Sequence, residues 1–343
     1  MFIFRNDVTF GIPPQLPCLT MDQSGRVKPL HVKTPLIESH ALSKLTGLKV
    51  WLKLENTQPV GTFKIRGIGN LSQKAVSNGC NHLVSSSGGN AGLAAAYAAR
   101  KLNIAATIVV PETTPEFMRE RLREEGATVE VCGKVWDEAN KRSLEIAAQP
   151  GYTAVHPFDH PDIWEGHASM IEEIKEEMDA PDAVILSVGG GGLLCGAVEG
   201  LKRVGWGDVP VVAMETEGAN CFSEAIKAGK VVRTESIKSI AKSLGSLSVV
   251  EQLLSYMKEH TIHSELVSDQ QALSACYRFL DDQKMLVEPA CGAALAAGYS
   301  NIFPKLQNKG KLPKLKTVVF IVCGGNAVSL KQLDIWKSEL GMA

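Results

Sequence analysis

The chain has 343 residues, long enough for well-buried cores and for two domains. Hydrophobic residues make up 45% and charged residues 21%, an ordinary globular balance that excludes general disorder. A formal net charge of −1 supplies no basic field for nucleic acid or an anionic membrane, which leaves a small molecule as the expected partner.

From the start, Met1 to Pro14 holds only the short apolar stretch Phe2-Ile3-Phe4 before Arg5 and Asp7, too short for the hydrophobic region of a signal peptide. Lys49 to Glu55 alternates apolar and polar residues, as a half-buried strand should. A turn at Gln58-Pro59-Val60-Gly61 follows, and Thr62 to Arg66 opens a helix. His82 to Ser85 reads as a short buried strand and Ala91 to Arg100, rich in alanine, as a helix. Ala105 to Val110 is again a strand, closed by Pro111. Thr114 and Pro115 resemble an N-cap and first-turn proline of a helix stopping near Gly126. Thr128 to Val131, Ala183 to Val188, Val211 to Met214 and Val318 to Val322 are further strands, the last three separated by helix-length segments. This alternation predicts α/β layers with largely parallel sheets. No clean linker is visible, so the domains are expected to be built from discontinuous pieces of chain.

No predominantly apolar run reaches the roughly 20 residues that span a bilayer. The longest, Ala183 to Val198, is broken by four consecutive glycines. The eight cysteines include no Cys-x-x-Cys pair, which argues against a zinc site and a disulfide scaffold and for reduced thiols in the cytosol.

Three glycine-bearing loops follow apolar strands. Gly189-Gly190-Gly191-Gly192-Leu193 lets backbone approach an anion at a helix start, where N–H groups lack partners. The dinucleotide fingerprint fails there, because Leu194 or Cys195 stands at its third glycine position, and no Gly-Lys-Ser/Thr closes a P-loop. A compact monophosphate remains. Ser86-Ser87-Gly88-Gly89-Asn90-Ala91-Gly92 offers hydroxyls and backbone donors suited to a carboxylate. Cys323-Gly324-Gly325-Asn326 is the third loop. Parallel sheets bind ligands at the carboxyl ends of their strands, so the three loops could converge on one ligand.

A lone lysine is normally a solvated charge, but Lys64 lies in Gln58-Pro-Val-Gly-Thr-Phe-Lys-Ile-Arg-Gly67. That stretch resembles the cofactor-lysine motif of fold-type II pyridoxal-phosphate enzymes. With the three loops in order, the resemblance runs over nearly the whole chain. It is closest to the animal L-serine dehydratase/L-threonine deaminase family, including its serine dehydratase-like branch. Ile163-Trp-Glu-Gly-His-Ala-Ser169, Met214-Glu-Thr216 and Leu286-Val-Glu-Pro-Ala-Cys-Gly-Ala-Ala294 are similar to that family's own segments.

The resemblance implies an α/β fold of the tryptophan synthase β-like type, with two open twisted, mostly parallel sheets flanked by helices. Residues 1–57 and 158–343 would form a large cofactor-binding domain and 58–157 a small one. It also implies a cytosolic homodimer in amino-acid catabolism and gluconeogenesis. Carried over by motif, Lys64 would bind pyridoxal 5'-phosphate as a Schiff base and remove the substrate's α-proton, and Phe63 would lie against the ring. Gly189, Gly190, Gly191, Gly192 and Leu193 would hold the phosphate, Asn90 the ring hydroxyl, and Cys323 would face the ring nitrogen. Ser87, with Gly88, Gly89, Asn90 and Ala91, would take the substrate carboxylate. The implied reaction converts L-serine to pyruvate and ammonia, and L-threonine to 2-oxobutyrate and ammonia, with the cofactor phosphate as donor to the leaving hydroxyl.

A neutral thiol at Cys323 leaves the ring a weaker electron sink than a carboxylate would, favouring elimination over transamination; alternatively Cys323 is simply a small buried residue. Related serine racemases carry a serine at position 88, so Gly88 implies slow racemisation. Glu215, with carbonyls of Gly189, Ala219, Leu244 and Ser246, matches the family's cation site. One carboxylate plus carbonyls, with Cys221 where the racemases have a second carboxylate, suits K⁺ better than Mg²⁺; otherwise Glu215 is a surface acid at a strand end. His156 and His160 could ligate a metal, His260 and His263 beside Glu259 read as a solvated segment, and Glu288 has no assigned role. The competing readings are a nicotinamide dehydrogenase, a non-catalytic binding protein, a serine racemase and a β-replacement synthase.

Overall fold

The computed structural model describes residues 19–22 and 25–342; the Met1 to Pro14 stretch and Cys18 lie outside the described residues. The chain runs through β1 (Leu36–Glu38), α1 (His40–Thr46), β2 (Lys49–Lys53), α2 (Lys64–Ser77), β3 (His82–Ser85), α3 (Asn90–Leu102) and β4 (Ala105–Val110). It continues through α4 (Glu116–Glu124), β5 (Thr128–Val131), α5 (Trp136–Ala147), β6 (Tyr152–Ala154), α6 (Pro161–Glu177), β7 (Ala183–Ser187) and α7 (Gly192–Arg203). The remainder is β8 (Val211–Thr216), α8 (Cys221–Ala228), α9 (Gln252–Glu259), β9 (Ile262–Val267), α10 (Asp269–Gln283), α11 (Pro289–Tyr299), α12 (Ile302–Asn308), β10 (Thr317–Ile321) and α13 (Leu330–Glu339).

The strands form two sheets. The six-stranded sheet has the order β1-β2-β10-β7-β8-β9, antiparallel at β1–β2 and parallel elsewhere. The four-stranded sheet, β5-β4-β3-β6, is parallel throughout. Central strands β7 and β8 are buried at every position, which explains why they read as unbroken apolar runs. Helix α11 is buried from Pro289 to Gly298 and packs on β7, β8 and β10, so its small residues on all faces are a packing requirement. Among the described residues no helix is long and apolar enough to cross a membrane, and the seven described cysteines are free.

Several expectations shift. Helix α4 starts at Glu116 with Pro115 itself at the cap, one residue later than the Thr114 cap implied, because the extended ψ of 142° at Pro115 keeps it outside the helix. Strand β2 ends at Lys53 and Glu55 enters a single 3₁₀ turn. Lys53 and Glu55 are not on a solvated face: both are fully buried. Arg66 of α2 makes two bonds to Glu55, at 2.7 and 2.8 Å, and two to Glu173 of α6, both 2.7 Å. Lys53 completes the group with 2.6 Å to Glu173. Within β2 the exposed Lys49 and buried Val50 and Leu52 follow the expected alternation, and Lys53 departs from it because Glu173 pairs with it inside the protein. The segment around His260 and His263 is likewise not solvated: His260 is buried and His263 lies on strand β9, half-buried.

Candidate active site

Lys64 is the first residue of α2, preceded by Phe63 at the cap position. The Phe63 N–H donates to Cys323 O at 3.2 Å, and Thr62 bridges to Gly324, so the lysine turn is tied to the carboxyl end of β10. The buried Arg66 ion pairs fix the next turn of α2 against α6. Lys64 Nζ donates to the carbonyl of Pro157 at 2.6 Å and lies 5.2 Å from the centre of the Phe63 ring. Burial lowers its amine to about 8, against the opposing pull of Cys323 and Glu288. A useful fraction of the amine is thus neutral near physiological pH.

Phe158, next to Pro157, links this amine to the tetraglycine loop. A β-carbon at Gly190 would lie 2.3 Å from the Phe158 ring, and one at Gly192 2.7 Å from the Phe158 carbonyl. Trp164 Nε1 holds that carbonyl at 2.8 Å. The glycines at 190 and 192 are therefore demanded by packing against Phe158, while Gly189 and Gly191 pack against Leu244 and Leu253. Gly191, at φ +104°, caps α7, and the amides of Gly192 and Leu193 stand in the first turn, where a helix leaves its N–H groups unpaired. Leu193 itself is buried.

The serine-glycine loop closes the other side. Ser86 Oγ donates to Asn140 Oδ1 at 2.8 Å, and Ser87 Oγ accepts from Gly89 N–H at 3.3 Å. Asn90 and Ala91 open α3, both buried. Asn90 Oδ1 accepts the Asn326 N–H at 3.0 Å, joining this loop to the one after β10. Its Nδ2 lies 3.0 Å from Glu288 Oε1 and 3.3 Å from Ser243 Oγ. Cys323, 5% exposed, has its Sγ 3.5 Å from Ser187 Oγ at the end of β7. Lys64 and the three glycine loops are thus connected through named contacts at the carboxyl ends of β3, β7 and β10.

The cation-site residues are partly assembled. Glu215 is fully buried, not a surface acid; Oε1 and Oε2 accept the N–H groups of Phe222 and Ser223, each at 2.8 Å, at the start of α8. Burial raises its carboxyl to about 7. The Gly189 carbonyl accepts from Cys221 Sγ at 3.5 Å, and the Leu244 backbone lies against Gly189. Ala219 donates its N–H to Thr216, and Ser246 donates to Leu244 O. His156 Nδ1 accepts from Asp159 N–H at 2.8 Å, and His160, the cap of α6, accepts from Asp162 N–H through Nδ1 at 3.1 Å. Among the described residues no three His, Cys, Asp or Glu side chains are grouped to hold a metal.

Sequence reasoning missed Phe158, Ser243, the part played by Glu288, and Thr114, whose side chain fills the space beside Gly88. The glycine run was a signal for a partner packed on it, but nothing local identified Phe158 as that partner. An aldehyde with a phosphate tail fits this donor set: an amine lowered by burial, helix-start amides and a buried carboxamide.

The chain matches the family described as pyridoxal-phosphate dependent enzyme over residues 27–324. The human protein named serine dehydratase-like is 55% identical over 93% of this chain and 98% of its own length. Human L-serine dehydratase/L-threonine deaminase is 55% identical over 92% of this chain and 97% of its own. The solved structure of a fungal L-serine ammonia-lyase from Rhizomucor miehei superposes with a TM-score of 0.85 at 37% identity, covering 91% of this chain and 99% of that one.

Proposed function

The chain belongs to the family of pyridoxal-phosphate-dependent enzymes, of fold type II, and from that premise we propose that it is an L-serine and L-threonine ammonia-lyase. It converts L-serine to pyruvate and ammonia, and L-threonine to 2-oxobutyrate and ammonia. The nicotinamide-dehydrogenase reading is overturned by the family match over residues 27–324. The observation that carries the proposal is the Lys64 amine, lowered by burial and joined through Cys323, Asn326 and Phe158 to all three glycine loops.

Bound pyridoxal phosphate supplies a conjugated electron sink for the substrate's α-carbon. We assign Lys64 as its attachment point and as the base that takes the α-proton, roles that a neutral amine can fill. The amides of Gly189 to Leu193 would hold the phosphate at the start of α7, where the helix end favours an anion. Phe63 would stand beside the ring, Asn90 would donate to its hydroxyl and Cys323 would face its nitrogen. Ser87 and the backbone of Gly88, Gly89, Asn90 and Ala91 take the substrate carboxylate. Gly88 carries no hydroxyl that could return a proton to the face opposite Lys64, so elimination outpaces racemisation.

The same reading assigns K⁺ to Glu215 and the carbonyls of Gly189, Ala219, Leu244 and Ser246. It also takes residues 58–157 as the small domain, and a homodimer in the cytosol, serving catabolism and gluconeogenesis, as the working form. Free buried thiols such as Cys276 and Cys291 accord with a reducing compartment. The test is oxo-acid release from L-serine, L-threonine and D-serine, with and without K⁺. Release from both L-substrates, lost in Lys64→Ala, is expected; a silent wild-type holoenzyme contradicts the proposal.

A further inference from the structure

Glu288 is a buried carboxyl that none of the roles above uses. It precedes Pro289 at the start of α11, with 5% of its surface exposed. Its Oε1 accepts from Asn90 Nδ2 at 3.0 Å, and Ser243 and Ala327 are among its polar neighbours. Lys64 from α2 and Cys276 from α10 face it electrostatically. A β-carbon at Gly325 would lie 2.0 Å from Glu288 Cδ. The second glycine of the Cys-Gly-Gly motif thus leaves the space that the Glu288 carboxyl occupies.

Asn90 is held at both ends of its carboxamide. Oδ1 takes the Asn326 N–H, and Nδ2 gives one hydrogen to Glu288. Flipping the amide would set NH₂ against the Asn326 N–H and lose that bond. The second Nδ2 hydrogen has only the longer 3.3 Å contact to Ser243 Oγ.

We propose that Glu288 is a positioning residue: it fixes the Asn90 carboxamide so that the second amide hydrogen is presented to the ring oxygen of the cofactor. This rests on Asn90 being the donor to that oxygen. Gly325 is then required because it leaves room for Glu288, and Asn326 because its amide sets the opposite end of Asn90.

The test uses apoenzyme and reconstituted holoenzyme of Glu288→Ala, Glu288→Gln, Asn90→Ala and the Glu288→Ala/Asn90→Ala pair. The readouts are the pyridoxal-phosphate dissociation constant and the visible absorbance of the bound cofactor. Glu288→Ala should weaken cofactor binding by about tenfold and shift the absorbance maximum, as loss of one buried hydrogen bond implies. Glu288→Gln keeps an acceptor for Asn90 and should restore affinity to within about threefold of wild type. In the Asn90→Ala background, Glu288→Ala should add nothing. Wild-type affinity and spectrum in Glu288→Ala, while Asn90→Ala is impaired, overturns the inference alone, as do effects that multiply in the pair. An unimpaired Asn90→Ala sinks both the inference and the reading of Asn90. Should Glu288→Ala fail to fold, Glu288→Asp, which keeps the charge but withdraws it from Asn90, must show the same loss; wild-type affinity there also overturns the inference.

Discussion

The Thr114 side chain stands where a β-carbon at Gly88 would project, with Cγ2 2.6 Å and Oγ1 2.9 Å from that position. The missing side chain on the substrate loop is therefore matched by a short β-branched residue that follows β4. A serine at position 88, the racemase arrangement, cannot be accommodated here without moving Thr114.

Gly88→Ser should accordingly destabilise the protein by about 1–3 kcal/mol, the usual cost of overpacking. Thr114→Ala removes both crowding atoms, so the Gly88→Ser/Thr114→Ala pair should recover roughly 1 kcal/mol or more relative to additivity. Denaturant unfolding of the four proteins measures this; simple additivity contradicts the steric coupling.

Replacing Lys64 by Met should stabilise the apoenzyme in a pH-dependent way. The folded-state amine titrates near 8 and the unfolded one near 10.5, so the unfolded chain binds more protons between those values. Wild-type stability from this group therefore rises from about pH 8 towards pH 10.5 and is lowest below pH 8. The advantage of Lys64→Met should be greatest below pH 8 and shrink above it. Thermal unfolding across this range tests the sign; a constant difference argues against a depressed amine.

Arg66→Met should be among the most damaging changes outside the loops. It leaves Glu55, fully buried, and most of Glu173 without their guanidinium partner, and breaking a buried ion pair costs about 3–5 kcal/mol. Because Arg66 lies two residues after Lys64, cofactor retention should fall with stability. A variant of wild-type stability contradicts the role given to this cluster.

Glu215 carries two duties that separate experimentally. Glu215→Ala removes acceptors for the Phe222 and Ser223 amides and should cost about 1–2 kcal/mol, as loss of a helix cap does. The same change should abolish any stabilisation of the wild type by K⁺ over a bulky organic cation. Equal K⁺ stabilisation of both proteins places the ion elsewhere.

The parts of this structure that read directly from the sequence are those governed by near neighbours. Strands β3, β4, β5, β7, β8 and β10 announced themselves by apolar runs, and Lys64 by the segment around it. Three-residue strands β1 and β6 carry too little pattern to stand out, and β9, with His263 and Glu265 in Ile262–Val267, reads as polar. The buried ion cluster of Lys53, Glu55, Arg66 and Glu173 carries no local signal, because Glu173, which pairs with both Lys53 and Arg66, lies over 100 positions further along the chain. Phe158 on Gly190, Thr114 on Gly88 and Glu288 on Gly325 share one cause: each glycine was visible, but the side chain filling the space beside it comes from a distant segment.

The account stands on the ε-amine of Lys64 being the group that carries the cofactor. Borohydride reduction of the holoenzyme, followed by proteolysis and mass spectrometry, tests this most directly. The phosphopyridoxyl mass should fall on the peptide containing Lys64, stoichiometric with protein. Its appearance on another lysine, or its absence from a reduced and active holoenzyme, would contradict the assignment.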